Sequence, residues 1–461
     1  MRRRISFQRS TYALVLSFLL AALGALASPV FSAQEAPTVR TPPPQQIEPP
    51  GKAPGATART ETEQYTLSHD RYQKAVAYSR AGYTLYFLSV FIGLAVLLLA
   101  LRFGIVARIR DFAQRTTENR FLQGLIFLPL VAVLIDIADL PVHIAWHGLS
   151  LHYQQSVQRW GSWILDWSKA ELMNLAFLTL MGLILFLVIR KSPRYWWFYF
   201  WLAALPIMLG IFVLEPVVID PLFHKFEPLD VHYPELTTDL QKLTQRAGLQ
   251  IPRDRMFLMD ASTKTNQINA YVTGFGASKR VVIYDNMISK LTPQEALFIF
   301  AHESGHYVLN HLRDAFIFFA AVLLSSLYAA YRLMNAILAR WGTRWKVYGP
   351  QDWAALAVLL LILEGLMFVS SPVVNGYSRV QEHAADVFGL ELIHGMVPNS
   401  AEVAAHSFQA LGEIDLADPN PPAFITFWMY SHPPLADRLV FAHTYDPWGK
   451  NRPPKYIKPQ N

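Results

Sequence analysis

Residues 292–309 read Thr-Pro-Gln-Glu-Ala-Leu-Phe-Ile-Phe-Ala-His-Glu-Ser-Gly-His-Tyr-Val-Leu. The first four residues form a capping box with proline at the first helical position, so the segment is predicted to be a helix. Side chains four positions apart lie on the same face of a helix. His302 and His306 are therefore predicted to stand side by side, with Glu303 one step round the helix.

This spacing is typical of a metal site. Two imidazoles on one face can bind a single zinc ion, and Glu303 can act on a water molecule at that ion. Phe298, Phe300 and Ala301 add an apolar wall beside it. The alternative is a pair of interior histidines that only satisfy hydrogen bonds. Two histidines that bracket a glutamate on an apolar helix favour the metal.

A catalytic zinc site needs a third protein ligand and one open position. The chain contains no cysteine, so this ligand must be His, Asp or Glu. Segment 377–388 contains no Gly or Pro and is predicted to be helical. Glu382 and Asp386 then lie one turn apart, as a ligand carboxylate and a carboxylate that holds a ligand imidazole. The alternative is a surface ion pair between Arg379 and Glu382, with His383 exposed.

Taken together, these motifs carry a family resemblance. His-Glu-x-x-His followed by Asn-x-x-Ser-Arg-x-x-Glu-x-x-Ala-Asp resembles the type I CAAX prenyl protease family, whose members are integral-membrane zinc endopeptidases. Segments 219–229, 269–285 and 431–438 also resemble the family, in the same order. The match covers about residues 83–442. The chain departs from the family at residues 265–268, which are not the usual Ser/His-rich run, and in its Pro-rich N-terminal insert.

The resemblance implies a fold and further site residues. The fold is mainly α and multi-pass, with about seven transmembrane helices forming a chambered barrel. An α+β zinc metalloprotease domain with a small edge-strand hairpin caps this barrel. His432 and Arg438 are expected at the substrate as catalytic residues, and the alternative for Arg438 is a structural ion pair with a nearby acid. Asn310 and Arg379 are expected beside the ligand residues.

Asn269, Ala270 and Tyr271 are predicted to form an exposed strand edge. A peptide can add to such an edge as another strand, through backbone hydrogen bonds. Extended binding suits an endopeptidase because it presents one peptide bond to the metal. In the expected mechanism Glu303 takes a proton from the attacking water and later delivers it to the leaving amine.

Composition independently indicates a membrane protein. The chain is 52% hydrophobic and 16% charged, whereas soluble proteins are about 25% charged. Seven apolar runs are long enough to be candidate membrane segments; they lie at about residues 12–27, 83–101, 121–144, 172–189, 196–214, 315–331 and 353–374. Several polar residues interrupt these runs: Asp136, Asp139, Pro141, His143 and Glu364. They are expected either to line the chamber or to form contacts between packed helices.

The N-terminal run, residues 12–27, has two interpretations. It follows three arginines and ends in Ala-Leu-Ala, as a cleaved signal peptide would, or it is an uncleaved first membrane helix, which the family resemblance favours. We expect five regions: an N-terminal hydrophobic segment (1–33), a Pro-rich linker (34–64), an N-terminal membrane domain (65–225), a zinc metalloprotease domain with two further membrane helices (226–450) and a tail (451–461).

Loop charges predict the orientation in the membrane. The basic residues fall in alternate loops, after the second, fourth and sixth apolar runs; they are Arg102, Arg108, Arg110, Arg115, Arg120, Arg190, Lys191, Arg194, Arg332, Arg340, Arg344 and Lys346. The rule makes their side cytoplasmic and places the zinc domain outside the cytoplasm. Eukaryotic family members instead have a cytosolic catalytic domain. These loops also account for most of the net charge of +6, so nucleic-acid binding is not expected.

Three functions fit these features. The first is a zinc endopeptidase that processes CAAX-box proteins, which are prenylated near the C-terminus. The second is an endopeptidase that clears membrane or envelope proteins without prenyl specificity, which the predicted orientation favours. The third is a non-enzymatic lipid or peptide carrier, which the intact Glu303 disfavours. The expected partners are one zinc ion, a peptide or protein substrate and the lipid bilayer.

Overall fold

The computed structural model describes residues 65–274 and 279–457. This part of the chain is mainly helical, with one small sheet. The helices are α1 (His69–Arg102), α2 (Ile105–Thr116), α3 (Arg120–His152), α4 (Trp160–Lys191), α5 (Trp196–Leu214), α6 (Asp220–Phe223), α7 (Leu229–His232), α8 (Pro234–Arg246), α9 (Asp285–Lys290), α10 (Pro293–Val308), α11 (His311–Trp345), α12 (Ala355–Ile393), α13 (Ser400–Ile414), α14 (Ala423–Met429) and α15 (Leu435–Thr444). The strands are β1 (Phe226–Pro228), β2 (Met256–Met259), β3 (Ala270–Thr273) and β4 (Arg280–Tyr284).

Six helical segments of the described residues are long and apolar enough to cross a membrane; they are α1, α3, α4, the segment Trp196–Phe223, α11 and α12. They confirm six of the predicted apolar runs. The helices are longer than those runs, because the runs leave out polar residues at the helix ends such as His69 and His311. The predicted N-terminal run, residues 12–27, lies outside the described residues, and a water-filled chamber stays a prediction.

The basic loops meet at one end of the helix bundle. Arg110 on α2 donates hydrogen bonds to the carbonyl of Lys346 at 2.7 Å and to Asp352 at 2.6 Å. Arg190, near the end of α4, lies over the indole ring of Trp353. Helix α12 starts beside this cluster and ends at the far end of the bundle. The basic loops and the predicted metal ligand Glu382 are thus at opposite ends.

The sheet has the strand order β1-β2-β4-β3. Strands β3 and β4 pair antiparallel as the predicted hairpin, and β3 is an outer strand. The side chains of Asn269, Ala270 and Tyr271 are all buried. Helix α10 packs against β3. The edge strand therefore lies directly beside the helix that carries His302 and His306.

Two glycines allow α10 and α12 to pack closely. A side chain at Gly389 of α12 would come within 2.9 Å of the backbone nitrogen of His302, and one at Gly305 of α10 would come within 3.0 Å of Phe388. Contacts this short leave no room for a larger residue. Phe298 of α10 and Phe388 of α12 join the same hydrophobic core. This packing brings Glu382 and Asp386 towards the histidine-bearing helix.

Candidate metal centre

His302, His306 and Glu382 bring three ligand atoms together. The two Nε2 atoms lie 3.2 Å apart, and Oε2 of Glu382 lies 3.3 Å from that of His302 and 3.6 Å from that of His306. Ligands about 2.0–2.1 Å from a tetrahedral zinc ion are about 3.4 Å from one another. The triangle therefore has the size that a bound metal requires.

The surroundings of these atoms also fit a cation. Glu382 is buried, and its Oε2 faces Nε2 of His432 at 3.0 Å as well as those of His302 and His306. A buried carboxylate carries a large free-energy cost unless a positive charge compensates it. A divalent ion between this oxygen and two imidazoles supplies that charge. Two histidines and one glutamate are also the ligands of a known type of catalytic zinc site.

Asp386 holds the first histidine in place. Its Oδ1 lies 2.8 Å from Nδ1 of His302, so the Nδ1 proton faces the carboxylate and Nε2 points to the centre. Burial opposes protonation of His302, but its contacts with Asp386 and Glu382 outweigh it and raise its pKa to about 10. The centre thus stabilises positive charge at the position where a metal would bind.

The second histidine is held by a residue that the sequence did not identify as part of the site. Nδ1 of His306 lies 3.0 Å from Nδ1 of His311, the first residue of α11. His311 is buried, so this contact fixes the orientation of the His306 ring. In the sequence, only its position as a third histidine soon after the motif could have suggested His311. The direction of its side chain could not be predicted, because the chain turns sharply between the two helices.

Asn310, expected beside the ligands, makes that turn. Its backbone has a φ of 57°, in the left-handed region that asparagine tolerates better than most residues. Its side chain is exposed, and the amide donates to the carbonyl of Val308 at 3.3 Å. The structure therefore does not bring the Asn310 side chain into the site. Its backbone instead directs His311 back towards His306.

Glu303 faces a pocket beside the ligand triangle. The pocket is also lined by Asn269, Phe298, Ile299 and His302. Burial raises the pKa of Glu303, and attraction to His302 and the other nearby cationic groups opposes this rise. A carboxylate of raised pKa beside an apolar wall is a suitable general base. This pocket also brings the predicted edge residue Asn269 next to Glu303.

His432 comes to the site from the C-terminal part of the chain. Its Nε2 lies 3.0 Å from Oε2 of Glu382, and its Nδ1 lies 3.0 Å from the hydroxyl oxygen of Ser431. Burial lowers the pKa of His432 to about 4, although the charge of Glu382 acts in the opposite direction. A neutral imidazole at this position has an N–H group to donate.

Arg438 takes the alternative role considered above, an ion pair with a buried acid. Its Nε donates to Oδ2 of Asp386 at 2.9 Å, and its Nη2 contacts Oδ1 of the same carboxylate. Its guanidinium also lies 4.2 Å from the centre of the Phe408 ring. Arg438 therefore acts through Asp386 on the orientation of His302. It also lines the pocket that Glu303 faces.

Arg379 was expected beside the ligand residues, but its hydrogen bonds are to a different segment of the chain. Its Nη1 donates to the carbonyls of Thr426, at 3.1 Å, and Tyr430. Asn375, one turn earlier on α12, donates to the carbonyl of Trp428 at 2.6 Å. These bonds bind residues 423–432, which we name the C-terminal strap, to the helix that carries Glu382. The strap ends in His432.

The other two predicted strand residues point away from the ligands or carry no polar group. The hydroxyl of Tyr271 donates to Oδ2 of Asp220 at 2.9 Å, and Arg280 also donates to that oxygen at 2.9 Å. Ala270 is opposite Ile283 in the sheet. Any contact of these residues with a substrate would therefore use the backbone of β3.

Comparisons with known proteins identify the family of this chain. The model for peptidase family M48 matches residues 232–445, and the model for the CAAX prenyl protease N-terminal region, with five membrane helices, matches residues 57–225. The chain is 32% identical over 368 residues to the uncharacterized metalloprotease YhfN of Bacillus subtilis, covering 80% of this chain and 84% of that protein. It is 27% identical over 336 residues to CAAX prenyl protease 1 of Saccharomyces cerevisiae, covering 69% and 71%.

A solved structure has the same fold. The crystal structure of Ste24p from S. mikatae matches with a TM-score of 0.67 and 24% identity, over 82% of this chain and 89% of that chain. The sequence-based prediction of the family and of the fold is thereby confirmed. The family also implies a metal at the His-Glu-x-x-His motif. The chain belongs to peptidase family M48 and is a multi-pass membrane metallopeptidase.

Proposed function

We propose that this protein is a zinc-dependent endopeptidase whose metal is held by His302, His306 and Glu382. The observation that carries the proposal is the triangle of ligand atoms, with edges of 3.2, 3.3 and 3.6 Å, beside Glu303. Bound zinc would supply a Lewis acid that activates water and polarises the scissile carbonyl. The residues around it transfer the proton, stabilise the oxyanion and orient the ligands.

Glu303 is the general base and then the general acid. Its raised pKa suits it to accept a proton from the attacking water and to return that proton to the leaving amine. His432 is the donor to the developing oxyanion, because its neutral ring presents Nε2 at the edge of the ligand triangle. Asp386 and His311 keep the two ligand imidazoles oriented.

The substrate lies along β3 as an extended peptide. Strand β3 is the outer strand of the sheet and packs beside α10, so a peptide added to it would run past Glu303. Asn269, at the start of this strand, lines the same pocket as Glu303.

We propose a membrane or envelope polypeptide as the substrate, cut without need of a prenyl group. The basic loops gather at one end of the bundle, which the charge rule makes cytoplasmic, and the ligand triangle is at the other. Prenylated proteins are cytosolic. A second candidate, cleavage at a prenylated CAAX motif, is favoured by relatives named as CAAX prenyl proteases.

The first experiment measures cleavage by the purified full-length protein in detergent with added zinc. A farnesylated CAAX peptide is compared with the same peptide without the farnesyl group. Glu303→Gln should bind zinc and fold as before but lower the rate by at least about 100-fold, because it removes the general base. Survival of activity in this variant would overturn the mechanism.

The two substrates separate the candidates. Equal cleavage supports the general endopeptidase, and a strong preference for the farnesylated peptide supports CAAX processing. Zinc binding with no cleavage of either peptide contradicts both and supports a carrier. The orientation is tested separately, by a reporter fused after Asn461. A cytoplasmic signal from this reporter would contradict the charge rule.

A further inference from the structure

The basic end of the helix bundle contains two kinds of arginine. Arg110 is neutralised, because it pairs with Asp111 at 2.7 Å and with Asp352 at 2.6 Å. Arg120 and Arg190 form no ion pair with any carboxylate of residues 65–274 and 279–457. The first residue of α3 and the penultimate residue of α4 thus carry charge that the described protein does not neutralise.

Arg190 is held on an aromatic surface with an unused donor. Its guanidinium carbon lies 4.5 Å from the centre of the Trp353 indole ring. Its Nη2 is buried, and no atom of the described chain accepts a hydrogen bond from it, while the side chain as a whole is half-buried. Stacking on the indole holds the planar guanidinium in one orientation, and such a group can bind an oxyanion through two parallel hydrogen bonds.

Trp353 itself is fixed. It is fully buried, and its Nε1 donates to Oε1 of Gln123 at 3.3 Å. Gly124 lets the indole approach α3, since a side chain there would come within 2.7 Å of the ring. Gln123 is held in turn by a 2.8 Å hydrogen bond from its amide to the carbonyl of Thr117. The surface beneath Arg190 is therefore rigid.

Arg120 reaches the same surface from the neighbouring helix. Its Nη1 donates to Oε1 of Gln123 at 3.4 Å, the atom that also accepts from Trp353. Arg120, through Gln123, and Arg190, through its stacking contact, thus meet at the same tryptophan. Two like charges held close together without a carboxylate between them destabilise the folded protein unless an anion binds there. Phosphate oxygens fit two guanidinium groups well.

Arg120 and Arg190 lie at the ends of two candidate membrane-spanning helices, α3 and α4, and Trp353 lies just before a third, α12. Arginine and tryptophan at the ends of such helices typically meet the membrane surface. Basic pockets between membrane helices on the cytoplasmic side bind acidic headgroups, and the proposed orientation puts these residues on that side. We propose that Arg120 and Arg190, with Trp353 as the floor, bind the phosphate of an anionic phospholipid.

The test is lipid binding by the full-length protein in detergent, followed by native mass spectrometry. Phosphatidylglycerol and phosphatidylcholine with the same acyl chains are the probes. Arg120→Gln and Arg190→Gln should each weaken phosphatidylglycerol binding by about fivefold, the loss expected for one arginine near an acidic membrane surface. Arg194→Gln is the matched control, because it removes the same charge from an exposed position at the same end.

Three results would overturn the proposal. They are equal binding of the two lipids by the wild type, equal losses in all three variants, and displacement of phosphatidylglycerol by millimolar inorganic phosphate, which would show a simple anion site. Arg120 is exposed, so Arg120→Gln keeps the test valid if Arg190→Gln does not fold. The readout is binding and does not depend on peptidase activity. Failure here would leave the proposed function untouched.

Discussion

Helix α12 carries two buried glutamates with opposite surroundings. Glu382 lies among the nitrogens of His302, His306 and His432, at 3.3, 3.6 and 3.0 Å. Glu364, five turns earlier, has both carboxyl oxygens buried without a hydrogen-bond partner in the described structure. Asp139 is a like charge in its neighbourhood. The first carboxylate is thus surrounded by imidazole nitrogens, whereas the second has another carboxylate in its neighbourhood.

This difference shows that burial alone does not identify a functional carboxylate. Both residues are deeply buried and acidic, so neither property alone identifies a metal ligand. What distinguishes Glu382 is the convergence of imidazole nitrogens on its free oxygen, and the outer carboxylate Asp386 that fixes one of them. Matched substitutions along α12 can test this distinction directly.

The largest expected effect comes from Glu382→Ala. Loss of one of three ligands should lower zinc affinity by more than about 100-fold, exceeding the loss typical of an outer hydrogen-bond partner. Peptidase activity should disappear with the metal. Glu364→Ala is the matched control, with the same change on the same helix. Bound zinc is measured in both by metal analysis after dialysis, and equal zinc content in the two variants would remove Glu382 from the ligands.

A smaller effect is expected from Asp386→Asn. The amide keeps the shape but loses the charge that orients His302 and pairs with Arg438. Zinc affinity should fall by about 10- to 100-fold. Stability should also fall, because Arg438 is left as a buried charge without its partner, at a cost of about 3–5 kcal/mol.

The control for this prediction is another buried glutamate on α12. Glu391 accepts hydrogen bonds from the backbone nitrogens of Lys455, Tyr456 and Ile457, and so holds the C-terminal tail. Glu391→Gln should lower the melting temperature and leave zinc affinity unchanged. A titration of zinc into both apoproteins distinguishes them. The idea that Asp386 acts on the metal fails if the two variants lose stability but neither loses zinc affinity.

A third prediction concerns the C-terminal strap, which α12 holds through Asn375 and Arg379. Arg379→Ala should leave zinc bound and lower kcat by about tenfold, as expected for a partly misplaced catalytic donor. The reason is that the strap carries His432 to the site. In a His432→Ala background, the same change should have little further effect on kcat.

This lack of additivity separates the proposed role from a general loss of structure. If Arg379→Ala lowers kcat equally in the presence and absence of His432, the strap does not act through that histidine. Asn375→Ala provides a second variant of the same contact, since it removes only the 2.6 Å bond to Trp428.

The part of the site that local spacing controls was predictable from the sequence. His302, His306 and Glu303 share one helix, and Glu382 and Asp386 share another, so helical periodicity placed each set correctly. The membrane helices were predictable for a similar reason, because apolar length within one segment identifies them.

The parts that depend on distant segments were not predictable. Arg379 binds carbonyls 47 and 51 residues away in the strap, and Asn310 contributes a backbone turn instead of a side chain. Helix α10 packs against the edge strand, and the side chains of Asn269, Ala270 and Tyr271 are buried. Such contacts depend on how elements pack, and no local pattern in the sequence records that packing.

The smallest expected effect is that of Glu364→Gln. The substitution removes a buried carboxyl group without hydrogen-bond partners and keeps nearly the same volume. Zinc content and kcat should stay within about twofold of the wild type, and the free energy of unfolding should stay the same or rise by about 1 kcal/mol. Metal analysis, peptide cleavage and thermal denaturation in one detergent measure all three. A loss of activity with zinc still bound would show that Glu364 takes part in catalysis or substrate entry from within the membrane domain. Glu364 and Glu382 would then both be functional residues with different roles.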